Sequence, residues 1–276
     1  MKLLPAFRPR VLNLFAAKQL VWNLTLRELR TKYRRTLLGW LWSLATPLTS
    51  LVIYSYVFGT LLQAVAPLGT PSGITSFGLF LLSGLIPFCF FSSATGAGIN
   101  ALLESADLIR KVSFPRESLV LAKVLNAVVQ FNIEIVLLIV VFLIAGSPLL
   151  PWLPVTLALV IIFVIFVVGI SLFLAVATVH FRDIPHFWGI LLQIWFFATP
   201  IVYPPTLLDD NVQGPLKIVL NLNPLTHFVE AFRSTLYHGT GVAYQEFLLL
   251  LTLSICSLVA GWLFFGRYSQ TLAEDI

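Results

Sequence analysis

Charged side chains are scarce in this chain. Lys, Arg, Asp and Glu make up 11% of the 276 residues, while 58% are hydrophobic and the mean hydropathy is +0.94. A typical soluble domain carries about 25% charged residues, so an ordinary soluble fold is excluded. No charged residue occurs in the 68 positions from Thr36 to Leu103, and an apolar helix needs about 20 residues to cross a bilayer. We therefore predict an all-α integral membrane protein.

Cysteine pairs, metal-binding clusters and nucleotide-binding loops are also missing from the sequence. Cys89 and Cys256 lie in apolar runs without a CxxC pattern, which predicts neither a disulfide framework nor a zinc site. His227 and Glu230 have an i, i+3 spacing but no third ligand, so we predict no metal site. No phosphate-binding loop of the form G-x-x-x-x-G-K-S/T is present. We expect no catalytic site, and nucleotide energy would have to come from another subunit.

Basic residues outnumber acidic ones, with a net charge of +5 and a pI near 9.4. They cluster beside apolar runs, so we expect membrane lipid with anionic headgroups as their partner and no nucleic acid. With the N-terminus inside, 15 of the 17 Lys and Arg residues lie on the cytoplasmic side, and only Lys217 and Arg233 lie outside. This asymmetry predicts that both termini are cytoplasmic.

Residues 1–35 form the first predicted unit, a cytoplasmic amphipathic interface helix. Helical spacing places an apolar face with Phe15 and Trp22 opposite Arg27, Arg30 and Arg34. With nine Lys or Arg residues, this segment is too charged to span a bilayer and does not resemble a cleaved signal peptide. We expect it to lie in the membrane interface. Packing on a soluble partner is the alternative, and the two interpretations are compatible.

Residues 36–276 form the second predicted unit, a single transmembrane domain with six spans. Turn-rich or polar connectors separate the apolar runs, and the predicted spans are about 37–62, 77–103, 118–145, 155–179, 187–202 and 247–265. Span five is short, and apolar stretches between spans five and six are interrupted at Asn223-Pro224. Broken segments at membrane depth must be buried in protein or line water. No internal repeat is evident, so we expect symmetry to come from a second copy of the chain.

Span three carries a polar stripe in an otherwise apolar run. Its members recur at intervals of three or four residues and are Lys123, Asn126, Gln130 and Glu134. Polar side chains at membrane depth do not face lipid. Three interpretations remain open: a hydrogen-bonded strut between helices, a proton or ion site at Glu134, and a channel lining. Lys123 is close enough to the inner end of the span to reach the interface.

Two short cytoplasmic connectors have the composition of docking elements. In the first, Ser105 can cap a short helix on which Leu108 and Val112 share a face, while the two basic residues between them point elsewhere. Phe114-Pro115 ends this helix, and Pro115 suits the first turn of span three. The alternative is a solvated loop that follows the positive-inside rule.

Several motifs, in this order, resemble those of the polysaccharide-export permeases of the type 2 ABC exporters. They are YRRTLLGWLW at 33–42, LIRKVSFP at 108–115, FRDI at 181–184, TPIVY at 199–203 and NP at 223–224. The resemblance extends over nearly the whole chain. It implies a half-transporter that pairs with a second copy and with two copies of an ATP-binding subunit, which holds ATP and Mg. The implied cargo is a lipid-linked glycan such as an O-antigen, teichoic acid or galactan precursor.

The resemblance also implies roles for individual residues. The ATPase-coupling residues would be Ser105, Asp107, Leu108, Arg110, Lys111, Phe114, Pro115, Arg182 and Asp183. Residues 204–241 would include the outer re-entrant helices between spans five and six. The implied location is the bacterial cytoplasmic (inner) membrane, and the cofactors belong to the partner subunit.

Aromatic residues give the chain a possible sugar path. Aromatic rings offer carbohydrate an apolar face, and spans one and five carry such residues at helical spacing. The candidates are Trp40, Tyr54, Phe58, Trp188, Trp195 and Thr199. Six helices leave little room for a polymer, so we expect the channel between two copies, with spans one and five at the seam. The alternative is that these residues pack between helices or anchor the chain at the membrane interface.

Export of a lipid-linked polysaccharide by an ATP-driven permease is the function predicted from the sequence. Three alternatives remain. They are a type 2 ABC exporter of drugs or lipids, an ion-coupled carrier that uses Glu134, and a membrane-embedded enzyme.

Overall fold

Apolar stretches bounded by glycine, proline or charged residues form helices that pack side by side. The computed structural model describes residues 17–32, 39–63, 66–112, 114–204 and 222–268, and the regular structure in these ranges is helical. The helices are α1 (Lys18–Lys32), α2 (Trp42–Tyr54), α3 (Phe77–Asn100), α4 (Ala106–Lys111), α5 (Glu117–Ile144), α6 (Leu153–His180), α7 (Ile184–Ala198), α8 (Pro224–Arg233) and α9 (Tyr244–Tyr268). π-Helical turns extend α2 through Ser55–Leu61 and α8 through Ser234–His238, and 3-10 turns occupy Gly39–Leu41, Leu103–Ser105 and Leu150–Trp152.

Five of these helices are long and apolar enough to cross a membrane: α2 with its π-helical extension, α3, α5, α6 with its preceding turn, and α9. They overlap five of the six predicted spans. Helix α7, in the place of span five, has 15 residues, which is about 22 Å at 1.5 Å per residue. It ends at Ala198 because Thr199 precedes Pro200 and takes an extended backbone, as residues before proline prefer. The prediction of an all-helical membrane fold is confirmed, with five membrane-length helices in the described residues.

Helices α3 and α6 form the centre of the bundle. In their most apolar windows, 78% and 72% of the residues are buried, against 6% for α2. Phenylalanine rings fill the contact of α3 with its neighbours. Phe90 stacks on Phe131 of α5 at 4.4 Å, and Phe163 of α6 contacts Phe228 of α8 at 4.5 Å between ring centroids. The core therefore extends from the long helices to the short helix α8.

Helices α6 and α9 approach closely along small residues. A Cβ atom at Gly261 would overlap the backbone of Gly169, and Ser257 donates a hydrogen bond to the Phe166 carbonyl at 2.9 Å. Such small residues let backbones meet where the hydrophobic effect is weak. This contact brings the ends of α6 and α9 together, where His180 and Tyr268 stack edge to face.

The two ends of the bundle differ in charge. One end, called the basic end below, holds α4, the starts of α5 and α7, and the ends of α6 and α9. It carries Arg110, Lys111, Arg182 and Arg267. The opposite end holds the loop 66–76, the end of α8 and its π-helical turn. The segment predicted to be re-entrant is described only in part, because residues 205–221 lie outside the described residues.

Candidate functional site

Helix α4 presents charged side chains at the basic end. Asp107, Arg110 and Lys111 are exposed, while Ile109 is buried and Leu108 packs against the core. Phe114, just after the helix, also packs against the core. The short helix is therefore anchored by its apolar side and offers charges of both signs outward, an arrangement that suits docking to a charged partner surface.

Three predicted details of this segment are wrong. Ser105 stands at the N-cap position, but its side chain makes no capping hydrogen bond. Val112 is 53% exposed because the chain is already extended there, and Ile109 takes the buried position instead. Pro115 precedes the first turn of α5, since the N-cap residue of that helix is Arg116.

The second connector lies at the same end of the bundle. Phe181, Arg182 and Asp183 are exposed, and α7 begins directly after them. The Asp183 carbonyl accepts hydrogen bonds from the backbone N–H groups of His186 and Phe187, which fixes the start of α7. Arg182 and Asp183 are thus presented on a short turn between two long helices.

Helix α1 packs along the first half of α5. Its buried side chains are Leu24, Thr25 and Leu29, whereas Trp22 is 56% exposed and Arg27 and Arg30 are exposed. The face of α1 that packs on protein therefore differs from the predicted apolar face, which included Trp22. The exposed Trp22 side chain can contact lipid. The predicted interface residues Phe15 and Arg34 lie outside the described residues.

Lys123 joins three parts of the basic end. Its Nζ atom lies 3.0 Å from Glu28 Oε2 on α1 and 2.8 Å from Glu104 Oε2 in the turn before α4. Lys123 is 19% exposed and Glu28 23%, so solvent screens this pair less than an ordinary surface pair. One ammonium group thus joins α1, the turn before α4, and α5. Lys123 was predicted to extend toward the membrane interface. In the structure its ammonium group pairs instead with the carboxylates of Glu28 and Glu104.

The polar stripe of α5 borders a groove between α1, α2, α3 and α5. A cleft of about 290 Å³ near the basic end is lined by Glu28, Thr31, Ser93, Ala97, Lys123, Asn126, Ala127 and Gln130. A deeper cleft of about 180 Å³ shares Ser93, Ala127 and Gln130 and reaches Glu134, Thr46 and Ser50. Because the two clefts share these residues they adjoin, and together they are called the polar cleft below. All four residues of the predicted stripe line it.

Observations in the polar cleft bear on the three interpretations of the stripe. Gln130 Nε2 donates to Glu134 Oε1 at 3.0 Å, and Glu134 is 9% exposed, as a hydrogen-bonded strut requires. The position of all four side chains along the groove favours a lining. Among the described residues, no group of three His, Cys, Asp or Glu side chains is placed to hold a metal ion. The role of Glu134 stays a prediction.

The candidate path residues of span one pack within the chain. Phe58 stacks on Phe77 of α3 at 4.9 Å between ring centroids, and Tyr54 lies 6.2 Å from Phe58. The opposite face of α2 is the exposed one, with Val52 and Tyr56 more than half exposed. The side chain of Trp40 lies outside the described residues. In this arrangement Tyr54 and Phe58 serve the contact between spans one and two.

The candidate path residues of α7 form a hydrogen-bonded line against α3 and α8. Trp188 donates to Thr95 Oγ1 at 3.0 Å, and Trp195 donates to Asn223 Oδ1 at 2.7 Å. Asn223 in turn donates to Thr199 Oγ1 at 2.9 Å. The other face of α7 is apolar and exposed by 60–71%, and comprises Phe187, Ile190, Ile194 and Phe197. Sugar contact by Trp188, Trp195 and Thr199 stays a prediction.

Arg233, at the end of α8, is the largest buried charged side chain in the described residues. It is 1% exposed and donates to the carbonyls of Pro200 and Ile201, to the latter at 2.7 Å. It also pairs with Glu230 at 2.7 Å and lies 3.9 Å above the ring of Phe80. Burial lowers the pKa of Arg233, and the Glu230 carboxylate opposes this shift. One guanidinium thus fixes the turn after α7 to both α8 and α3.

The positive-inside count placed Arg233 on the outer side of the membrane and did not predict this cluster. The i, i+3 spacing of Glu230 and Arg233 was the available signal, since such pairs meet on a helix surface. Asn223 was also missed as a structural residue. Its side chain caps α8 by accepting from the Leu225 N–H at 3.0 Å, and an Asn before Pro at a helix start is the corresponding signal.

The loop 66–76 is fastened to the π-helical turn after α8. Ser72 donates to the Tyr237 carbonyl at 2.6 Å, and the Thr70 N–H donates to His238 Nδ1 at 3.2 Å. Burial lowers the pKa of His238, and the charge of Arg233 lowers it further. This shift favours the neutral imidazole, whose unprotonated nitrogen can accept the hydrogen bond from Thr70.

An all-helical bundle with five helices of membrane-spanning length and composition defines a multi-pass membrane protein. The chain belongs to the ABC-2 type transporter family, whose family model matches residues 19–237. This match covers every helix described above except α9 and the first residue of α1. The family membership that the motifs indicated is confirmed.

Three relatives align with this chain over most of both sequences. The O-antigen export system permease protein RfbA of Myxococcus xanthus is 28% identical over 268 residues, 96% of this chain and 98% of its own length. A protein of the same name from Klebsiella pneumoniae is 27% identical, covering 91% and 92%. The polysialic acid transport protein KpsM of Escherichia coli is 28% identical, covering 84% and 88%. These names describe proteins of O-antigen export and of polysialic acid transport.

Proposed function

We propose that the chain is the permease subunit of an ATP-driven exporter that moves lipid-linked polysaccharide from the cytoplasmic to the outer side of the bacterial inner membrane. The observation that carries the proposal is similarity over nearly the full length of polysaccharide-export permeases. The match to the Myxococcus xanthus protein spans 96% of this chain and 98% of the relative, so it covers the whole bundle rather than one segment.

The proposed assembly contains two copies of this chain and two copies of an ATP-binding subunit. The exposed charges of α4, together with Arg182 and Asp183, would receive the ATP-binding subunits. ATP and Mg would be held on those subunits. The exposed apolar faces of α2 and α7 would meet across the seam between the two copies, with the polysaccharide passing between them.

The proposed mechanism couples closure of the ATP-binding subunits to a change in helix packing. Force applied at α4 would reach α1 and α5 through the Lys123 ion pairs with Glu28 and Glu104. At the other end, Arg233 would keep the turn after α7 attached to α8 as α7 moves. ATP would thus shift the permease between two packings rather than drive any chemistry in this chain.

Reversing the charges of the docking face tests the proposed coupling. We expect the double variant Arg110→Glu and Lys111→Glu to reduce the amount of ATP-binding subunit that purifies with the chain by at least about tenfold, since like charges across an interface cost several kcal/mol. The measurement is quantitative pull-down from membranes in mild detergent.

The matched control reverses two exposed charges outside α4 and the 181–183 connector, Lys18→Glu on α1 and Arg267→Glu near the end of α9, which alters net charge equally. Equal recovery of the ATP-binding subunit from the docking-face variant and the wild type would contradict the assigned face. Failure of any ATP-binding subunit to associate would favour an ion-coupled carrier, for which Glu134→Gln should abolish transport. Product formation by the purified chain alone would favour an enzyme, and transport of small amphiphiles would favour an exporter of drugs or lipids.

A further inference from the structure

The polar cleft combines polar side chains with apolar ones, among them Leu85, Phe90 and Phe131 in its deeper part. It extends from Glu28 and Thr31 at the basic end to Ser50 and Glu134 deep in the bundle. Its wider part, about 290 Å³, is near the lower limit of about 300 Å³ for ligand pockets. Polar groups at membrane depth are costly and commonly mark a substrate or ion pathway. The chemistry of the lining therefore indicates what the cleft can hold.

Three hydroxyl groups in the lining act as acceptors toward the cleft. Thr31 donates to the Arg27 carbonyl at 2.8 Å, Thr46 to the Trp42 carbonyl at 3.0 Å, and Ser93 to the Phe90 carbonyl at 3.1 Å. A hydroxyl has one hydrogen, so each of these oxygens can offer only lone pairs to a ligand. The carboxylates of Glu28 and Glu134 are acceptors as well. The amides of Asn126 and Gln130 in the lining supply donors as well as acceptors. A matching ligand therefore needs hydrogen-bond donors together with some acceptors, as hydroxyl groups provide.

The charges around the cleft disfavour an anion. Lys123 is the basic residue of the lining, and its ammonium group already lies within 3.0 Å of two carboxylates, those of Glu28 and Glu104. Phosphate recognition requires cationic or N–H groups directed at the ligand, and here two acids surround one base. A neutral ligand rich in hydroxyl groups fits the excess of acceptors without introducing like charges.

We propose that the polar cleft binds a neutral sugar ring, as the subsite that receives the sugar nearest the lipid anchor before translocation. This inference rests on the proposed export function and names the part of the cargo that the cleft takes. The position suits this role because the cleft opens between the interface helix α1 and the spans α2, α3 and α5. A lipid-anchored sugar approaching along the membrane surface would meet its wider part first.

Photolabelling of the full chain in lipid nanodiscs tests the subsite. The probe is octyl β-glucoside that carries a diazirine on the sugar ring, and labelled positions are mapped by mass spectrometry of peptides. We expect labels on α5 between residues 123 and 134 and on α2 between 46 and 50. Excess octyl β-glucoside should compete with the label, while octyl phosphate and octyltrimethylammonium should not.

Two variants and two matched controls separate specific binding from lipid partitioning. Gln130→Leu and Thr46→Val should each reduce labelling by about fivefold, as expected when one or two hydrogen bonds are lost. Asn132→Leu changes an exposed amide on the same helix, and Thr252→Val removes an exposed hydroxyl that is bonded in the same way to its own helix. Both controls should label like the wild type.

Other outcomes would overturn the inference. Competition by octyl phosphate would assign the cleft to an anionic headgroup, and competition by octyltrimethylammonium would assign it to a cation. Equal labelling of the variants and the wild type would mean that the probe contacts the chain only through lipid. None of these results depends on the ATP-binding subunit, so the sugar subsite can fail while the export function stands.

Discussion

Replacing Arg233 by methionine should lower the free energy of unfolding by about 3–5 kcal/mol, the usual effect of removing one partner from a buried ion pair. The substitution would leave the carbonyls of Pro200 and Ile201 without their donor. Glu230 would lose its cation, and Phe80 would lose the guanidinium above its ring. We expect a clear fall in the midpoint of thermal unfolding of the purified chain in detergent.

Two further variants show whether the guanidinium geometry matters. Arg233→Lys should be intermediate, because one ammonium group cannot span the two carbonyls and the carboxylate as a planar fork does. Arg267→Met, at an exposed position of α9, should leave the unfolding midpoint nearly unchanged. If Arg233→Met unfolded at the same temperature as the wild type, the cluster at the end of α8 would have no role in holding the turn after α7.

Reversing the charge of Lys123 should have the second large effect. In Lys123→Glu, a third carboxylate would face Glu28 and Glu104, so two attractions at the basic end become two repulsions. We expect α1 and the turn before α4 to separate from α5. Surface polysaccharide should then fall by at least about tenfold, since 1.4 kcal/mol already shifts an equilibrium tenfold. The measurement is surface polysaccharide per amount of chain in the membrane.

A charge swap distinguishes the ion pair from a general requirement for lysine. Glu28→Lys combined with Lys123→Glu restores one attractive pair and should recover part of the export, while Lys123→Arg should retain most of it. Full export by Lys123→Glu at a normal membrane level would show that the tie between α1, α4 and α5 is not needed for coupling.

The positions of the long helices could be predicted because the determining signal is local. Span three was predicted at 118–145 and α5 covers Glu117–Ile144, while span two was predicted at 77–103 and α3 covers Phe77–Asn100. Long apolar runs with glycine, proline or charge at their boundaries suffice for such assignments. The end of α7 before Pro200 differs from prediction because the proline constrains the preceding residue.

The contacts of the charged residues could not be predicted because their partners are distant in sequence. Arg233 binds carbonyls 33 and 32 residues away, and Lys123 binds Glu28 95 residues away. The positive-inside rule counts Arg233 as an outer charge but contains no information on burial. The buried face of α1 likewise depends on the surface of α5, which the amphipathic pattern of α1 alone does not describe.

The polar stripe of α5 could be predicted in part. Its spacing predicted that Lys123, Asn126, Gln130 and Glu134 share one face, and all four line the polar cleft. The sequence could not show that α1 and α2 complete the walls, because that depends on tertiary packing. The acceptor character of the cleft became visible only through the hydrogen bonds of Thr31, Thr46 and Ser93.

Depletion of this chain from the cells that make it tests the central claim most directly. Cells are pulse-labelled with radioactive sugar. The measurement is the amount of labelled lipid-linked polysaccharide on the cytoplasmic face and on the outer face of the inner membrane over time. The proposed function predicts that completed lipid-linked polysaccharide accumulates at the cytoplasmic face, and that the wild-type chain, but not the Arg110→Glu and Lys111→Glu variant, restores its export. Normal delivery of polysaccharide to the outer face after complete loss of the chain would contradict it.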